Sequence, residues 1–310
     1  MNYDDPIFKR LARNDTSSAP GHQGGIVIPK ALSNYFPTLH GNISAQNPTL
    51  DMDIEADLFV DGAFKGKVTT RYQCQTWGGT RKAEWRLTSN LGPIRDAAAA
   101  DDLLVFERSL DDPAHMRLTL LTRAHPDFER LLQKAGPKRW GFLDSQPVSN
   151  DEISSAIQEE IAAELSAFNL LSNGIVRTQS RTHRIAREQA FRYRLMELYD
   201  NKCVITARSM ITENRASGID GAHIVPLERG GSNDARNGLA LAKDIHWAFD
   251  RGLIGFDDNR KVILSPFVQS DARNQYLRTF AGAPLDSAKD PRLNAHSDAI
   301  RWHRENIFSK

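Results

Sequence analysis

The stretch from Asp220 to Gly252, DGAHIVPLERGGSNDARNGLALAKDIHWAFDRG, gathers most of the residue types that metal-assisted phosphodiester hydrolysis needs. His223 precedes an Ile-Val-Pro exit and a polar Gly-Gly-Ser-Asn-Asp loop follows. Asn237 then opens an apolar run, and His246 sits in a segment with helical character. A neutral imidazole, with an ordinary pKa of about 6.5, can take a proton from water at cellular pH, which makes His223 the candidate general base. His246 is the candidate ligand of a divalent cation that would polarise the scissile phosphate while the activated water attacks in line. Asn237 carries a donor and an acceptor on one short side chain and suits bracing a loop. The elements that must position these groups are a strand carrying His223, a loop pinned by Asn237 and a helix presenting His246.

The flanking strings AHIVP (222–226), GSNDARNGL (231–239) and DIHWAFDRGL (244–253) make the segment resemble the HNH endonucleases of the ββα-metal class over about fifty residues. The resemblance implies His223 as base, Asn237 as the structural asparagine and His246 as a metal ligand, with Mg²⁺ or Mn²⁺ as the ion. Many of these enzymes place an Asp immediately before the base as second ligand, and here that position is Ala222. Asp250 is the preferred substitute, one helical turn beyond His246, with Asp220 second; otherwise fewer protein groups hold the metal. Some HNH proteins add a four-cysteine zinc site. With only Cys74 and Cys203 this chain cannot build one, so no structural zinc is expected.

A chain of 310 residues accommodates two domains, and its two distant cysteines fit a reducing compartment. No window approaches a membrane-spanning apolar run, and MNYDDPIFKRL lacks a signal-peptide pattern. A soluble, cytoplasmic protein with no membrane partner is expected. The formal net charge is +1, so affinity for nucleic acid has to come from local basic patches.

The amino-terminal half reads as short strands. Residues 9–36, KRLARNDTSSAPGHQGGIVIPKALSNYF, form a polar loop delivered onto a strand at 26–28, which Pro29 stops before a short helix over 31–35. Alternation over 54–60 and 64–72 around Asp61-Gly62 predicts a hairpin, and further strands are expected over 83–87, 103–107 and 116–121. Such spacing suggests a small barrel. The strings NDT (14–16), GHQGGIVIPK (21–30) and GGTRKAEWRLT (78–88) resemble the effector domain of EcoRII-type restriction enzymes and the related plant DNA-binding domains. That family shares a pseudobarrel whose two arms grip the major groove, and the resemblance spans roughly residues 8–125. Carried over, the first arm offers Arg13, Asn14, Asp15, His22 and Gln23, with Lys30 beyond it. The second offers Trp77, Arg81, Lys82, Glu84 and Arg86. Arg suits guanine, Asn and Gln suit adenine, and Asp can accept from cytosine.

Between the halves, Gly136-Pro137 and Pro147 mark a boundary, and Ile153, Ile157, Ile161, Leu165 and Phe168 predict an amphipathic helix with a solvated acidic face. The basic run 177–199 places Arg177, Arg181, Arg184 and Arg187 three or four residues apart, able to face phosphates.

The expectation is an α+β chain of two domains. An EcoRII-effector-like β pseudobarrel occupies 1–135, a linker with the helix 136–175, and the ββα-metal HNH domain 176–310. The expected function is a restriction-type endonuclease acting on double-stranded DNA, with modified cytosine in the site and a homodimer for double-strand cleavage left open. The alternatives are a DNA-binding regulator with an inactive nuclease domain, prompted by Ala222, and a nicking or homing HNH endonuclease.

Overall fold

Alternation of apolar and polar residues builds the first half of the chain. In the computed structural model, which describes residues 2–18, 24–76, 82–171, 180–212 and 217–308, eight strands join into one curled sheet: β1 (Ile7–Arg10), β2 (Ile26–Ile28), β3 (Thr49–Val60), β4 (Ala63–Gln75), β5 (Glu84–Leu87), β6 (Leu103–Arg108), β7 (His115–Leu121) and β8 (Trp140–Phe142). Their order is β2-β5-β4-β3-β7-β6-β1-β8. All neighbours are antiparallel except β3 and β7. The hairpin of β3 and β4 turns at Asp61 and Gly62, both at positive φ (48° and 81°), which a tight hairpin needs and which Asp and Gly tolerate. The Asp61 carboxylate accepts from the Thr122 backbone N–H and hydroxyl, at 2.8 and 2.7 Å, and ties that turn to the end of β7.

Inside the curl, Ile54, Ala56 and Leu58 of β3 meet Met116, Leu118 and Leu120 of β7 and Phe106 of β6. Phe36 stacks on Tyr72 at 5.1 Å and meets Phe106 edge-on at 5.6 Å. Of the two short helices of this half, α1 (Gly92–Arg95) buries Ile94 in that interior. Helix α2 (Phe128–Ala135) covers the outer face of β1 and β6 through Phe8, Leu103, Val105 and Phe128. Strand β6 is therefore buried on both sides, which explains its unbroken run LLVF.

Two strands escape the sequence reading, β1 and β8. Lys9 conceals β1: it is only 7% exposed and its ammonium donates to Asp15 at 2.7 Å and to the Val27 carbonyl. Burial pulls the Lys9 pKa down, and the Asp15 carboxylate opposes that pull. Asp15 itself is fully buried, accepting also from the N–H groups of Ala12 (2.7 Å) and Val27 (2.9 Å). The expectation that Asp15 reads a base edge is thus corrected: its carboxylate is enclosed and bonded on both oxygens, locking the turn at 13–15 to β1 and β2.

Met1–Asp151 is one compact unit and Glu152–Thr212 with Ser217–Lys310 the other. Of the expected linker, residues 136–151 belong to the first unit. Helix α3 (Asn150–Ala163) crosses that division, and it is shorter than expected: Leu165 lies beyond it and is 85% exposed. The acidic face is also corrected. Glu160 is 6% exposed and pairs with Arg187 at 3.0 Å, and Glu164 pairs with Arg194 at 2.6 Å, so these carboxylates fasten α3 and the residue after it to α4 (Arg181–Leu198). Arg187 consequently does not face phosphates.

The second unit continues with β9 (Ile219–His223), β10 (Gly238–Ala242), α5 (Lys243–Asp250), β11 (Ile254–Phe256), β12 (Val262–Leu264), α6 (Pro266–Ser270), α7 (Gln275–Arg278) and α8 (Ser297–Asn306). Its core runs through Phe191, Leu195, Ile224, Leu239, Leu241, Ile245 and Phe249. His303 of α8 stacks flat on Phe249 at 3.8 Å and donates from Nε2 to the Phe249 carbonyl at 3.1 Å. Its Nδ1 is buried without a hydrogen-bond partner, and burial pushes the ring pKa down to about 4. Among the described residues no helix is long and apolar enough to cross a membrane.

Two outcomes follow for stability. Asp15→Asn leaves the Lys9 ammonium buried beside a neutral amide and is expected to cost the first unit about 3 to 5 kcal/mol in urea unfolding. For His303, the unfolded chain (pKa about 6.5) binds its proton before the folded one does, so stability is full above pH 6.5 and falls as pH drops towards 4. At pH 5 the loss is about 2 kcal/mol. Protection of the α8 amides from exchange, followed against pH, should show that slope, and His303→Phe should reduce it to what His223, also depressed to about 4, contributes.

Candidate active site

Strand β9 lies antiparallel to β10, with His223 opposite Gly238 and Asp220 opposite Leu241, and α5 follows β10 directly. The expected strand, loop and helix are therefore present in order. The loop between the strands is bracketed by Asn237, which is 0% exposed. Its Oδ1 accepts from the Val225 N–H at 2.9 Å, and its Nδ2 donates to the carbonyls of Val225 at 3.1 Å and Ser232 at 2.8 Å. The backbone adds a bond from the Ile224 N–H to the Asn237 carbonyl at 2.8 Å. Gly231 completes the bracket because a Cβ there would lie 1.9 Å from the Val225 oxygen.

His223 is held on two sides. Phe191 of α4 stacks on its ring at 3.8 Å and 7°. That ring occupies space which a Cβ on Gly238 would fill, 2.5 Å from the Phe191 ring tip, so the glycine after Asn237 is what lets Phe191 reach the imidazole. On the other side, His223 Nε2 lies 2.9 Å from Asn233 Oδ1. An amide oxygen only accepts, so Nε2 carries the proton and Nδ1 presents the lone pair. Burial, partly offset by the Asn233 hydrogen bond, pushes the His223 pKa down to about 4. The ring is therefore neutral throughout the physiological range.

His246, a quarter exposed, lies between two carboxylates. Its Nδ1 is 3.4 Å from Asp220 Oδ2 and its Nε2 is 3.4 Å from Asp250 Oδ2. Burial alone would lower the His246 pKa, but the hydrogen bond to Asp220 and the charges of Asp250 and Asp220 outweigh it and raise the value. For Asp220, burial pushes upward and is outweighed by His246, Arg192 and Lys243, leaving its carboxyl below the usual range. Asp250 goes the other way: burial raises it, and the charge of Glu228 adds to that while His246 opposes. Ala222 and Asp220 are two residues apart and share one face of β9. Ala222 is fully buried, whereas Asp220 reaches the imidazole.

Sequence reasoning did not single out Asn233, Phe191 or Arg192. Asn233 sits in the quoted loop string, but its burial, at 9% exposed, appears only in the fold, and a polar residue in a polar loop gives no sequence signal of it. The Arg192 guanidinium stands 3.9 Å from Asp220 Oδ1 and places a fixed positive charge beside the site.

The residues expected to touch DNA are distributed unevenly. Arg13 and Asn14 are exposed on a single 3₁₀ turn (Arg13–Asp15), and Lys30 and Lys82 are exposed as well. Glu84 and Arg86 lie on β5, partly buried and paired with each other. Arg181 and Arg184 are exposed in the first turns of α4, with Glu188 3.7 Å from Arg184. His22, Gln23, Trp77, Arg81 and Arg177 lie outside the described residues.

Comparison with known proteins agrees with this division. The family described as HNH endonuclease matches residues 203–257, and the family described as the N-terminal domain of restriction endonuclease EcoRII matches residues 5–122. No curated protein matches the chain. Among solved structures, the modification-dependent TagI restriction endonuclease is 24% identical, at a TM-score of 0.31, over 38% of this chain and 37% of that one. The N-terminal domain of Helicobacter pylori LlaJI.R1 is 11% identical, at 0.31, over 46% and 99%. The B3 domain of UbaLAI restriction endonuclease with cognate DNA is 17% identical, at 0.28, over 39% and 68%. The chain thus spans little more than a third of the length of TagI.

Removing the bracket should be costly. Asn237→Ala strands the Val225 N–H, the Val225 carbonyl and the Ser232 carbonyl in a closed interior, at about 1 to 3 kcal/mol for each group left without a partner. The expected loss is about 3 kcal/mol or more in urea unfolding of the second unit, against about 1 kcal/mol for Asn233→Ala, which ends a single side-chain bond. Equal losses from the two variants would mean that the bracket is not what holds the loop.

Proposed function

We propose that this chain, which joins an EcoRII-type N-terminal domain to an HNH endonuclease domain, is a restriction-type DNA endonuclease. The first unit reads a short duplex site and the second hydrolyses a phosphodiester bond near it. The observation that carries the reading is the state of His223: a neutral imidazole whose Nε2 is fixed by Asn233 and whose Nδ1 is left as a proton acceptor. His246 belongs to the same site, and its charge is felt at the His223 ring.

The residues fit a hard divalent cation such as Mg²⁺ or Mn²⁺. His246 Nδ1 and Asp220 Oδ2, 3.4 Å apart, have about the separation of two neighbouring ligands that each stand ~2.1 Å from one ion. Asp250 approaches the opposite ring nitrogen, so a single ion cannot take His246 together with both carboxylates. Asp220 is the better ligand because it stands on β9, the strand that carries His223, and is less exposed than Asp250, at 26% against 55%. This reverses the sequence-based preference and answers the missing carboxylate at Ala222 from the same face of the same strand. Among the described residues no three of His, Cys, Asp and Glu gather into a fuller metal-binding group, so His246 and Asp220 are the protein groups that would hold the ion. Such an ion, when bound, polarises the phosphate and neutralises charge on the leaving oxygen.

The chain's own residues do the rest. His223 Nδ1 takes a proton from the attacking water, and Phe191 and Asn233 keep that nitrogen aimed. Arg192 offers positive charge beside Asp220, where the phosphate would lie. In the first unit, Arg13, Asn14, Lys30 and Lys82 present exposed donors for the groove or the phosphates, while Arg181 and Arg184 offer backbone contacts from the second.

Purified protein incubated with a panel of duplexes in Mg²⁺ or Mn²⁺, each with and without modified cytosine, should cut, and the panel identifies the site read. His223→Ala should slow cleavage by about 10² to 10⁴-fold while leaving DNA binding near parental. Cleavage at the parental rate would remove His223 from the role of base. In a Mn²⁺ titration, Asp220→Ala should need more metal than Asp250→Ala; the reverse order would return the ligand role to Asp250.

A further inference from the structure

The aim of His223 depends on Asn233, so whatever holds the loop 230–236 also governs the base. Asn237 holds that loop from within. From outside it is held by residues 164–171, the stretch that follows α3. Its start is fastened by Glu164, which takes two bonds from Arg194 at 2.6 and 2.7 Å. Next, the Ser166 carbonyl accepts from Arg236 Nη2 at 3.1 Å, and the same guanidinium grips Asp234 at 2.9 and 2.6 Å. It lies over the Phe168 ring at 5.4 Å, and Phe168 stacks in turn on His296 at 4.2 Å. The His296 N–H closes the circuit on the Arg236 carbonyl at 2.8 Å. Finally the Leu170 carbonyl accepts from the Ser232 N–H at 3.2 Å, and Leu171 forms an isolated β-bridge with Gly231.

Asn233 is thus flanked by residues bonded to one passing segment: Gly231 and Ser232 before it, Asp234 (through Arg236) and Arg236 after it. The segment adds little to the core, since Leu165 is 85% and Leu171 46% exposed and only Phe168 and Leu170 pack in part against it. Its bonds are directed instead at the loop that carries Asn233.

We propose that residues 164–171 act as a strap that positions the catalytic base, with Phe168 and Arg236 as positioning residues that keep Asn233 on His223 Nε2. The proposal rests on His223 being the base. Its test, in the full chain, is therefore one that does not need cleavage: the ¹⁵N signature of the His223 imidazole, recorded without DNA or metal. The parental ring should show the single Nε2–H tautomer. Phe168→Ala should turn it into a mixture and lower turnover by about ten- to a hundredfold at unchanged DNA affinity. Phe168→Tyr, which keeps the stacking face, should restore both. A folded Phe168→Ala protein with the parental tautomer overturns the proposal, whatever its turnover. Should that variant fail to fold, Arg236→Lys, which keeps the charge but drops the grip on Asp234 and Ser166, is read in the same way, and an unchanged tautomer there overturns it equally.

Discussion

The candidate site depends on one buried side-chain amide. Asn237 satisfies an N–H and two carbonyls of a loop that has no regular partner for them, because its amide offers both a donor and an acceptor in a closed interior. Because that bracket closes, β9 and β10 can be joined through a long polar excursion without losing register. The excursion in turn carries Asn233 to the imidazole. Gly231 and Gly238 serve the same closure by leaving room, one for a backbone oxygen and the other for the Phe191 ring.

The first unit uses the same device with a charged residue. Asp15 collects the N–H groups of Ala12 and Val27 and the Lys9 ammonium, tying a turn to two strands as Asn237 ties a loop to one. In both cases a short Asx side chain replaces missing backbone partners. Arg13 and Asn14 project from a turn whose base is set before any ligand arrives.

Much of this was legible in the sequence because local chemistry and local structure agree there. The order of His223, Asn237 and His246 fixes a strand, a loop and a helix, and Asp61-Gly62 fixes the longest hairpin. The reading failed where tertiary pairing overrides local character. Lys9 and Asp15 look solvated because they are charged, yet each is the other's reason for being buried. Glu160 and Glu164 read as a wet helix face, and only the packing of α4 brings Arg187 and Arg194 to them. Strand β8, three residues long, has no pattern of its own and exists because β1 offers an edge. That β9 brings Asp220 to the His246 nitrogen opposite the one Asp250 approaches is likewise a tertiary fact that spacing does not carry.

The internal pairing of α4 also bears on how the second unit meets a polyanion. Binding to duplex DNA draws much of its free energy from condensed counterions released as each phosphate is neutralised, with a salt slope of about 0.9 per contact. A guanidinium already matched to a buried carboxylate contributes little to that release, so of the arginines on this helix Arg181 and Arg184 remain as the exposed ones. Helix α4 should then contribute less to that salt slope than its five arginines suggest. Part of the positive charge of that helix is in that sense neutralised from within before any polyanion arrives.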